Sequence, residues 1–390
     1  MLLFLITFVI IYGGLHAYAF FRLQQAFSTE RPTAQLLAGG MLLMTVAPIL
    51  VRVFERSGFE TSAQWVAWPG YIWMGWIFIF CTTLMATDIL RLTACCISRY
   101  FGTNFPKLLS ATITCEVALL LSLFAGGYAL YEARTIRTDH ITVTSAKLSP
   151  SSPGIRLVQI SDVHLGLLFR ESRLEALLQA VRAAHPDMLV STGDLVDGRL
   201  SQEHVISRLD RLASMIAAVP TKAGKFAVSG NHEYYAGLDQ ALAFTRKAGF
   251  TVLRNQSITL PNGITICGID DPARQRMGLP PARVPESEVL RAAPTQNFQI
   301  LLKHRPVIPA ASDGLFDLQL SGHVHQGQIF PFNMLVRLQF PIPCGTTISQ
   351  QHSTIHVSRG SGTWGPPMRL LAPPEITVID IVPARQATHR

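Results

Sequence analysis

Charged residues are scarce in this sequence. Asp, Glu, Lys and Arg make up 15% of its 390 residues, whereas hydrophobic residues make up 48%. That balance is low in charge for a soluble protein of average composition. The scarcity is uneven, because residues 1–150 hold 10 Lys and Arg and 7 Asp and Glu, whereas residues 151–390 hold 23 and 18. The sequence therefore divides into an apolar N-terminal part and a C-terminal part of ordinary globular composition.

Two further absences exclude classes of function. The net charge of +8 divides into +3 and +5 between these parts without any block of basic residues, so no nucleic-acid-binding surface is expected. The six cysteines contain no Cys-x-x-Cys, which excludes a zinc knuckle and a thioredoxin-type redox motif. Cys267 and Cys344 are the two cysteines of the globular part, and a disulfide between them stays open.

Four apolar runs in the N-terminal part are long enough to cross roughly 30 Å of hydrocarbon as helices. They cover approximately 1–21, 34–51, 68–87 and 108–131. The first run resembles a secretory signal, because Ala17-Tyr18-Ala19 is similar to a cleavage site. No Lys or Arg precedes its apolar core, however, which favours an uncleaved helix.

These runs predict a multi-pass protein of the cell (inner) membrane, with the lipid bilayer as a partner. Lys and Arg are divided five against five between the two sides, so the membrane orientation stays open. The predicted organisation is a four-helix transmembrane region over 1–131, a linker over 132–154 and a globular α/β domain over 155–390.

From Ile155 onward, short β-branched runs alternate with amphipathic segments, which is typical of an α/β fold. Helices are predicted at about 171–184 and 203–217. Five apolar strands are each followed at once by a cluster of polar residues, in the segments Leu157–His164, Met188–Asp197, Phe226–Glu233, Ile300–Pro306 and Leu318–His325. Layered α/β sheets bind ligands outside the carboxyl ends of their strands, so these clusters are expected to form one site.

The clusters carry carboxylate, imidazole and amide groups, which are ligands for divalent metals such as Mn, Fe, Zn and Ni. Asp162 and His164 are two residues apart, so an extended backbone would direct both toward one side, and His323 and His325 share that spacing. Two ions about 3.5–4 Å apart can orient a phosphoryl group and offset the charge on its attacking and leaving oxygens. Small residues ahead of the ligands would let the backbone turn sharply; they are Gly193, Gly230 and Gly322.

Each cluster alone is a weak signal. An isolated Asp-x-His or His-x-His is more often a surface or core pair than a ligand pair, and Gly-Asn-His-Glu could be a turn with a helix cap. Five clusters in order, each after an apolar strand, favour a two-metal centre instead.

With these motifs, from Asp162 to His325, the sequence resembles the calcineurin-like metallophosphoesterase superfamily. The resemblance implies an α/β layered sandwich and two divalent metal ions as cofactors. It also implies that Asp194 bridges the two ions, that Asp197 orients a ligand without binding metal, and that His232 contacts the phosphate and protonates the leaving oxygen. The remaining implied ligands are Asp162, His164 and His325 for one ion, and Asn231, His304 and His323 for the other.

Two further motifs, Gly268–Pro272 and Gly322–Ile329, resemble a membrane-associated bacterial branch of the superfamily. That branch more often has Gly-His-Thr-His-Gly-Gly-Gln, so Val324 and Gln326 depart from it without changing a metal ligand. The apolar stretch Phe330–Phe340 follows closely. It indicates either an acyl chain or membrane surface beside the site, or a helix packed on the sheet.

These features predict metal-dependent hydrolysis of a phosphodiester, phosphomonoester or pyrophosphate bond, in a lipid-linked or membrane-derived substrate. Two alternatives stay open. A non-catalytic membrane scaffold that retains the fold would be expected to have lost metal ligands. A transporter with a phosphatase-like regulatory domain would need a polar path through the spans, for which Glu116 is the one hint.

Overall fold

The structure, a computed structural model, describes residues 2–102, 110–198, 203–280 and 284–384. The chain forms two compact units. The helical unit comprises the chain up to Tyr131 together with Gly365–Leu370. The sandwich unit comprises Glu132–Trp364 and the chain from Leu371 onward.

Within the described residues, the helical unit has four long helices. They are α1 (Leu2–Phe27), α2 (Arg31–Arg56), α3 (Glu60–Phe101) and α4 (Ala111–Glu132). All four are long and apolar enough to cross a membrane, which confirms the predicted number. With 42 residues, α3 extends well beyond the apolar run that predicted it.

Polar side chains inside the helical unit pair with one another. Arg22 forms an ion pair with Asp88, whose carboxylate also accepts a hydrogen bond from Tyr18 Oη at 2.7 Å. Trp73 Nε1 donates a hydrogen bond to His16 Nε2 at 2.8 Å. No water satisfies such groups in hydrocarbon, so internal pairing of this kind is what a membrane environment requires.

Two six-stranded sheets form the described part of the sandwich unit. The strands of the first are β1 (Arg137–Ser145), β2 (Ile155–Ile160), β3 (Met188–Ser191), β4 (Lys225–Ala227), β5 (Thr251–Val252) and β12 (Glu375–Pro383). Those of the second are β6 (Gln256–Thr259), β7 (Ile264–Ile269), β8 (Phe298–Lys303), β9 (Leu318–Ser321), β10 (Gly345–Ile348) and β11 (Thr354–Val357). The spatial orders are β1-β12-β2-β3-β4-β5 and β10-β11-β9-β8-β7-β6.

Helices flank the sheets in the sandwich unit. They are α5 (Glu171–Ala183), α6 (Glu203–Ala217), α7 (Asn231–Ala236), α8 (Leu238–Lys247), α9 (Ala273–Arg276), α10 (Glu286–Ala292) and α11 (Phe332–Gln339), with a 3₁₀ turn at His325–Gly327. The first two agree with the helices predicted at 171–184 and 203–217.

The sheets pack face to face through apolar side chains. Leu157 and Val190 from the first sheet and Ile300 and Leu320 from the second share one buried cluster. Neighbouring residues such as Val158 point to the opposite face, where they pack with the helices that follow the strands. Each fully buried side chain of this size contributes roughly 1.5–3 kcal/mol to folding. The predicted α/β layered sandwich is confirmed.

The strand β1 lies inside the segment 132–154, which the sequence predicted as a linker. It pairs in parallel with β12 over the register Arg137↔Glu375 to Ser145↔Pro383. The residues on one face of β1 are polar and exposed, so β1 lacks the continuous apolar run that predicted other strands. A further difference concerns the open disulfide, because Cys267 and Cys344 are both free thiols.

The central strands of both sheets run in parallel. In the first sheet β2, β3 and β4 are neighbours, and in the second β7, β8 and β9 are neighbours. The carboxyl ends of neighbouring parallel strands meet at one edge of a sheet. The polar clusters that follow these strands are therefore brought together.

Candidate metal centre

Every predicted site residue lies at the carboxyl end of a central strand. Hydrogen bonds between main-chain groups join the loops that follow neighbouring strands. Asp162 N donates to Gly193 O at 3.0 Å, and His164 N donates to Asp194 O at 3.0 Å. These bonds place the loop after β2 directly against the loop after β3.

Five of the predicted ligands have left-handed backbone conformations. They are Asp162 (φ 51°), His164 (φ 52°), Asp194 (φ 52°), His323 (φ 73°) and His325 (φ 48°). Such conformations cost a residue with a side chain about 1–3 kcal/mol and cluster at functional sites. The extended backbone predicted for the two pairs spaced two apart is therefore wrong. The chain turns as soon as each strand ends, and the turn rather than the pleat directs the ligands together.

A first group of ligands consists of Asp162, His164 and His325. The two Nε2 atoms of His164 and His325 are 3.1 Å apart, and His325 Nε2 is 3.3 Å from Asp162 Oδ1. One ligand atom from each residue lies within 4.8 Å of the others. This is the set that the resemblance implied for one ion.

A second group surrounds His304 Nε2. Asp194 Oδ2 is 3.2 Å from this nitrogen, Asn231 Oδ1 is 3.2 Å from it, and His323 Nδ1 is 3.1 Å from it. His304 is held in place by its other nitrogen, Nδ1, which lies 2.9 Å from Thr192 O. The group contains the three residues implied for the other ion, together with Asp194.

The Asp194 carboxylate lies between the two groups. Its Oδ2 atom is 3.2 Å from His304 Nε2 in the second group and 3.9 Å from His164 Nε2 in the first. Its Oδ1 atom accepts a hydrogen bond from His232 N at 2.8 Å. Asp194 therefore occupies the position that a bridging ligand needs.

The protonation states in the centre suit a cation. Burial lowers the pKa of His164 to about 3 and that of His323 to about 2, so both imidazoles are neutral at neutral pH and have a lone pair to offer. Burial alone would raise the pKa of Asp194, but the charge of His304 lowers it well below its usual range. Burial opposes protonation of His304 as well, yet Asp194 raises the pKa of His304 to about 10.

The centre thus combines buried carboxylates with neutral imidazole nitrogens, and a cation bound beside Asp194 would replace the proton on His304. Nitrogen and oxygen donors of this kind match the preferences of first-row divalent metals. The residues present therefore fit divalent metal ions.

His232 stands beside the first group. Its Nδ1 atom is 3.0 Å from Asp197 Oδ1, and its ring centroid is 4.6 Å from that of His164. Burial opposes protonation, but Asp194 and Asp197 raise the pKa of His232 to about 9. His164, Asp197 and His232 also have ligand atoms close enough to hold an ion, whereas the resemblance implies that His232 contacts the phosphate and donates a proton.

Glu233 forms the helix cap that the sequence analysis weighed for Gly-Asn-His-Glu, and it has a further supporting role that was missed. Its buried carboxylate accepts hydrogen bonds from Gly230 N at 2.7 Å, Leu195 N at 2.7 Å and Asp194 N at 3.0 Å. It therefore ties the loop after β3 to the loop after β4. Burial raises its pKa to about 7. The position of Glu233 three residues after Gly230, at the start of a helix, was the available signal, because Glu at this position often binds the main chain at the helix start.

An ion pair between partly buried Arg305 and buried Asp271 supports His304 from the adjacent position. Arg305 Nε donates to Asp271 Oδ2 at 2.7 Å, and Arg305 Nη2 donates to Asp271 Oδ1 at 3.2 Å. The two-point contact fixes the loop that carries His304. Asp271 belongs to the motif Gly268–Pro272, whose resemblance to a known branch was the one sequence signal for it.

The glycines ahead of the ligands have two different roles. Gly193 has a left-handed φ of 99°, as a sharp turn requires. At Gly230 a Cβ atom would lie 2.1 Å from Asp194 Oδ1, and at Gly322 it would lie 2.2 Å from Asp162 Oδ2. These two positions are therefore occupied by glycine to leave room for the ligands, and not for the turn that was predicted.

Comparisons with known proteins relate the chain to metallophosphoesterases. Residues 155–327 match the family model described as calcineurin-like phosphoesterase. The chain is 41% identical over 266 residues to an uncharacterized metallophosphoesterase of Aquifex aeolicus, which covers 67% of this chain and 98% of that protein. It is 30% identical to a Danio rerio transmembrane protein with metallophosphoesterase domain, over 67% of this chain and 61% of that protein. A solved dimetal phosphatase from Danio rerio aligns with a TM-score of 0.35 and 16% identity, over 54% of this chain and 88% of that one.

Proposed function

The chain belongs to the calcineurin-like metallophosphoesterase family, and on that premise we propose that it hydrolyses a phosphodiester, phosphomonoester or pyrophosphate bond with two divalent metal ions. The observation that carries this proposal is the meeting of two ligand groups at the Asp194 carboxylate. A scaffold that had lost catalysis would be expected to lack ligands, and none of the implied set has been replaced.

The ligand groups define the proposed roles. Asp162, His164 and His325 would hold one ion, Asn231, His304 and His323 would hold the other, and Asp194 would contribute to both groups. Divalent ions bound there, such as Mn, Fe, Zn or Ni, would supply positive charge that orients the phosphoryl group and offsets its developing charge. Glu233 and Arg305 hold the loops that present these side chains.

His232 supplies a proton in the proposed reaction. Asp197 holds its Nδ1 atom, so the Nε2 atom is the one left to reach the leaving oxygen. A pKa of about 9 keeps the imidazole protonated at neutral pH. Proton donation to a leaving oxygen typically contributes 10²–10⁴-fold to the rate.

The proposed substrate is lipid-linked or membrane-derived, and the proposed location is the cell (inner) membrane with multiple spans. Four membrane-length helices and a relative described as a transmembrane protein support membrane association. Beside the centre, α11 carries three solvent-exposed apolar side chains. Met334 is 62% exposed, Leu335 is 58% exposed and Leu338 is 82% exposed. An exposed apolar face near a phosphate site is suited to acyl chains.

The test of hydrolysis uses the purified full-length protein, loaded in turn with Mn, Fe, Zn and Ni. Wild type should cleave bis-p-nitrophenyl phosphate or an amphiphilic pyrophosphate. Asp194→Asn should abolish the activity, because it removes charge from the carboxylate shared by both groups. Asp210→Asn is the matched control, since Asp210 lies on α6 and pairs with Lys247 at a partly exposed site.

Two results would overturn the proposed function. One is unchanged activity in Asp194→Asn, and the other is the absence of bound metal by elemental analysis under every loading condition. Equal loss in Asp194→Asn and Asp210→Asn would likewise argue against a specific role for the shared carboxylate.

A further inference from the structure

Two partly exposed aromatic side chains flank His232. The Tyr235 ring centroid lies 5.5 Å from that of His232 with an interplanar angle of 69°. The Trp364 centroid lies 5.7 Å away at 71°. Tyr235 is 50% exposed and Trp364 is 45% exposed. Neither ring is stacked flat on the imidazole, and about half of each side chain faces solvent beside the proposed proton donor.

Elements that carry the metal centre also position both rings. Tyr235 lies on α7, three residues after His232, so both residues lie on one side of that helix. Trp364 is held through its main chain by the Gln328 side chain. Trp364 N donates to Gln328 Oε1 at 2.9 Å, and Gln328 Nε2 donates to Trp364 O at 2.9 Å. Gln328 follows the 3₁₀ turn that begins with His325, so Trp364 is fixed relative to a proposed ligand.

We propose that Tyr235 and Trp364 bind a flat aromatic ring in the leaving group, such as a nucleobase. The inference rests on the proposed function, because His232 can protonate the leaving oxygen only if the leaving group lies next to it. A leaving group in that position would lie beside both rings. Stacking on an aromatic side chain commonly improves binding by about tenfold. Tyr235 and Trp364 therefore determine specificity for the leaving group.

The test compares a flat ligand with a puckered one of the same size and charge. Full-length metal-loaded enzyme would be assayed with bis-p-nitrophenyl phosphate, and inhibited with benzyl phosphate or cyclohexylmethyl phosphate. Trp364→Leu and Tyr235→Leu should each raise KM and the inhibition constant of benzyl phosphate about tenfold, with kcat changed by less than about twofold. The inhibition constant of cyclohexylmethyl phosphate should not change, and Trp364→Phe should restore most of the loss.

The controls are Trp65→Leu and Tyr100→Leu, which remove aromatic rings that are 77% and 83% exposed in the helical unit. Both should behave as wild type. Adenosine monophosphate is a further inhibitor that carries a nucleobase, and glucose 6-phosphate is its counterpart with a puckered sugar ring. In the variants the inhibition constant of adenosine monophosphate should rise, whereas that of glucose 6-phosphate should not change. A rise for glucose 6-phosphate alone would contradict the proposal.

The proposal is overturned if both variants lower kcat for every substrate while the inhibition constants stay the same, because the rings then act by positioning His232. Absence of hydrolysis by wild type with every metal would defeat the proposed function instead. The inference would still be decided by calorimetric binding of the two inhibitors. Equal affinities of wild type for benzyl and cyclohexylmethyl phosphate would overturn it.

Discussion

At the scale of single residues, the metal centre leaves no space for a side chain at Gly322. A Cβ atom there would lie 2.0 Å from Ser161 Oγ and 2.2 Å from Asp162 Oδ2, so the proposed ligand would have to move. We expect Gly322→Ala to lower hydrolysis about 100-fold, the upper end of the effect of replacing groups that orient metal ligands. Activity and metal content would be measured on the same preparation.

The control for this substitution is Gly127→Ala. A Cβ atom at Gly127 in α4 meets nothing within 4 Å, and alanine is favoured over glycine in a helix by about 1 kcal/mol. The control should keep wild-type activity. Normal rate and normal metal content in Gly322→Ala would contradict the close approach of Gly322 to Asp162.

The protonation state of His232 predicts a basic limit to activity. Its pKa is raised to about 9, with Asp194 and Asp197 overcoming the opposing effect of burial. The imidazole donates a proton only below its pKa, so kcat should fall as the pH rises through this value. Bound cations repel a proton, so the limit should lie at or below about pH 9.

Removing one of the two charges tests this assignment. Asp197→Asn takes away the carboxylate next to His232 Nδ1, so it should lower the pKa of His232 and move the basic limit of kcat to lower pH. The measurement is the pH profile of kcat at saturating metal. A basic limit that stays in place would show that another group donates the proton.

The sequence predicted the proposed ligands more completely than the main-chain and side-chain contacts that hold them in place. The proposed ligands belong to short motifs that directly follow apolar strands, and the structure brings all of them together. Their left-handed backbone conformations could not be predicted, because bonds between distant loops impose them, such as His164 N to Asp194 O at 3.0 Å. The cap that Glu233 forms at Gly230 follows from local spacing. Its bonds to Leu195 N and Asp194 N were missed because they depend on β3 and β4 being neighbours.

At the scale of elements, continuous apolar runs predicted five of the six central strands correctly, and β7 was not among them. Strands such as β2 and β8 are covered on both faces, and parallel strands buried in this way consist largely of apolar residues. The edge strand β1 was missed because its exposed side is polar. Its partner β12 comes from the far end of the chain, so no local pattern reports the pairing.

The exposed face of α11 leads to a prediction about substrate choice. Met334 and Leu338 are 62% and 82% exposed, and covering a side chain of this size gains roughly 1.5–3 kcal/mol. The double variant Met334→Ser, Leu338→Ser should therefore lose about tenfold or more of kcat/KM on an amphiphilic pyrophosphate. Its activity on bis-p-nitrophenyl phosphate should not change.

The control is Met277→Ser, which replaces an exposed methionine just after α9. Equal loss on both substrates in the α11 variant would mean that the helix supports the centre rather than the lipid. Unchanged activity of the α11 variant on both substrates would show that α11 does not contact the lipid part of the substrate.

At the scale of the whole molecule, the two units differ in how metal should affect their stability. The sandwich unit contains the buried carboxylates of the centre, and a cation that binds only the folded state stabilises it by mass action. The helical unit contains none of the proposed ligands. Metal should therefore stabilise one unit and leave the other unchanged.

Two buried cysteines can report on the units separately. Cys267 lies on β7 in the sandwich unit and Cys81 lies on α3 in the helical unit, and each is 0% exposed. At a free metal concentration of 100 times Kd, binding adds about 2.7 kcal/mol. Removing the metal with a chelator should therefore speed the labelling of Cys267 by a thiol reagent about 100-fold, because the reagent reacts with the transiently open state. The labelling of Cys81 should not change, and mass spectrometry of the labelled peptides would measure both rates.

The control for this experiment is Asp194→Asn, in which the labelling rate of Cys267 should be the same with and without metal. An unchanged labelling rate at Cys267 in wild type would mean that metal does not stabilise the folded sandwich unit. That result would contradict the proposed binding of cations by its buried carboxylates. A parallel increase at Cys81 would mean that the units open together. The difference between the two cysteines, rather than either rate alone, therefore decides whether the metal acts on one unit or on the whole chain.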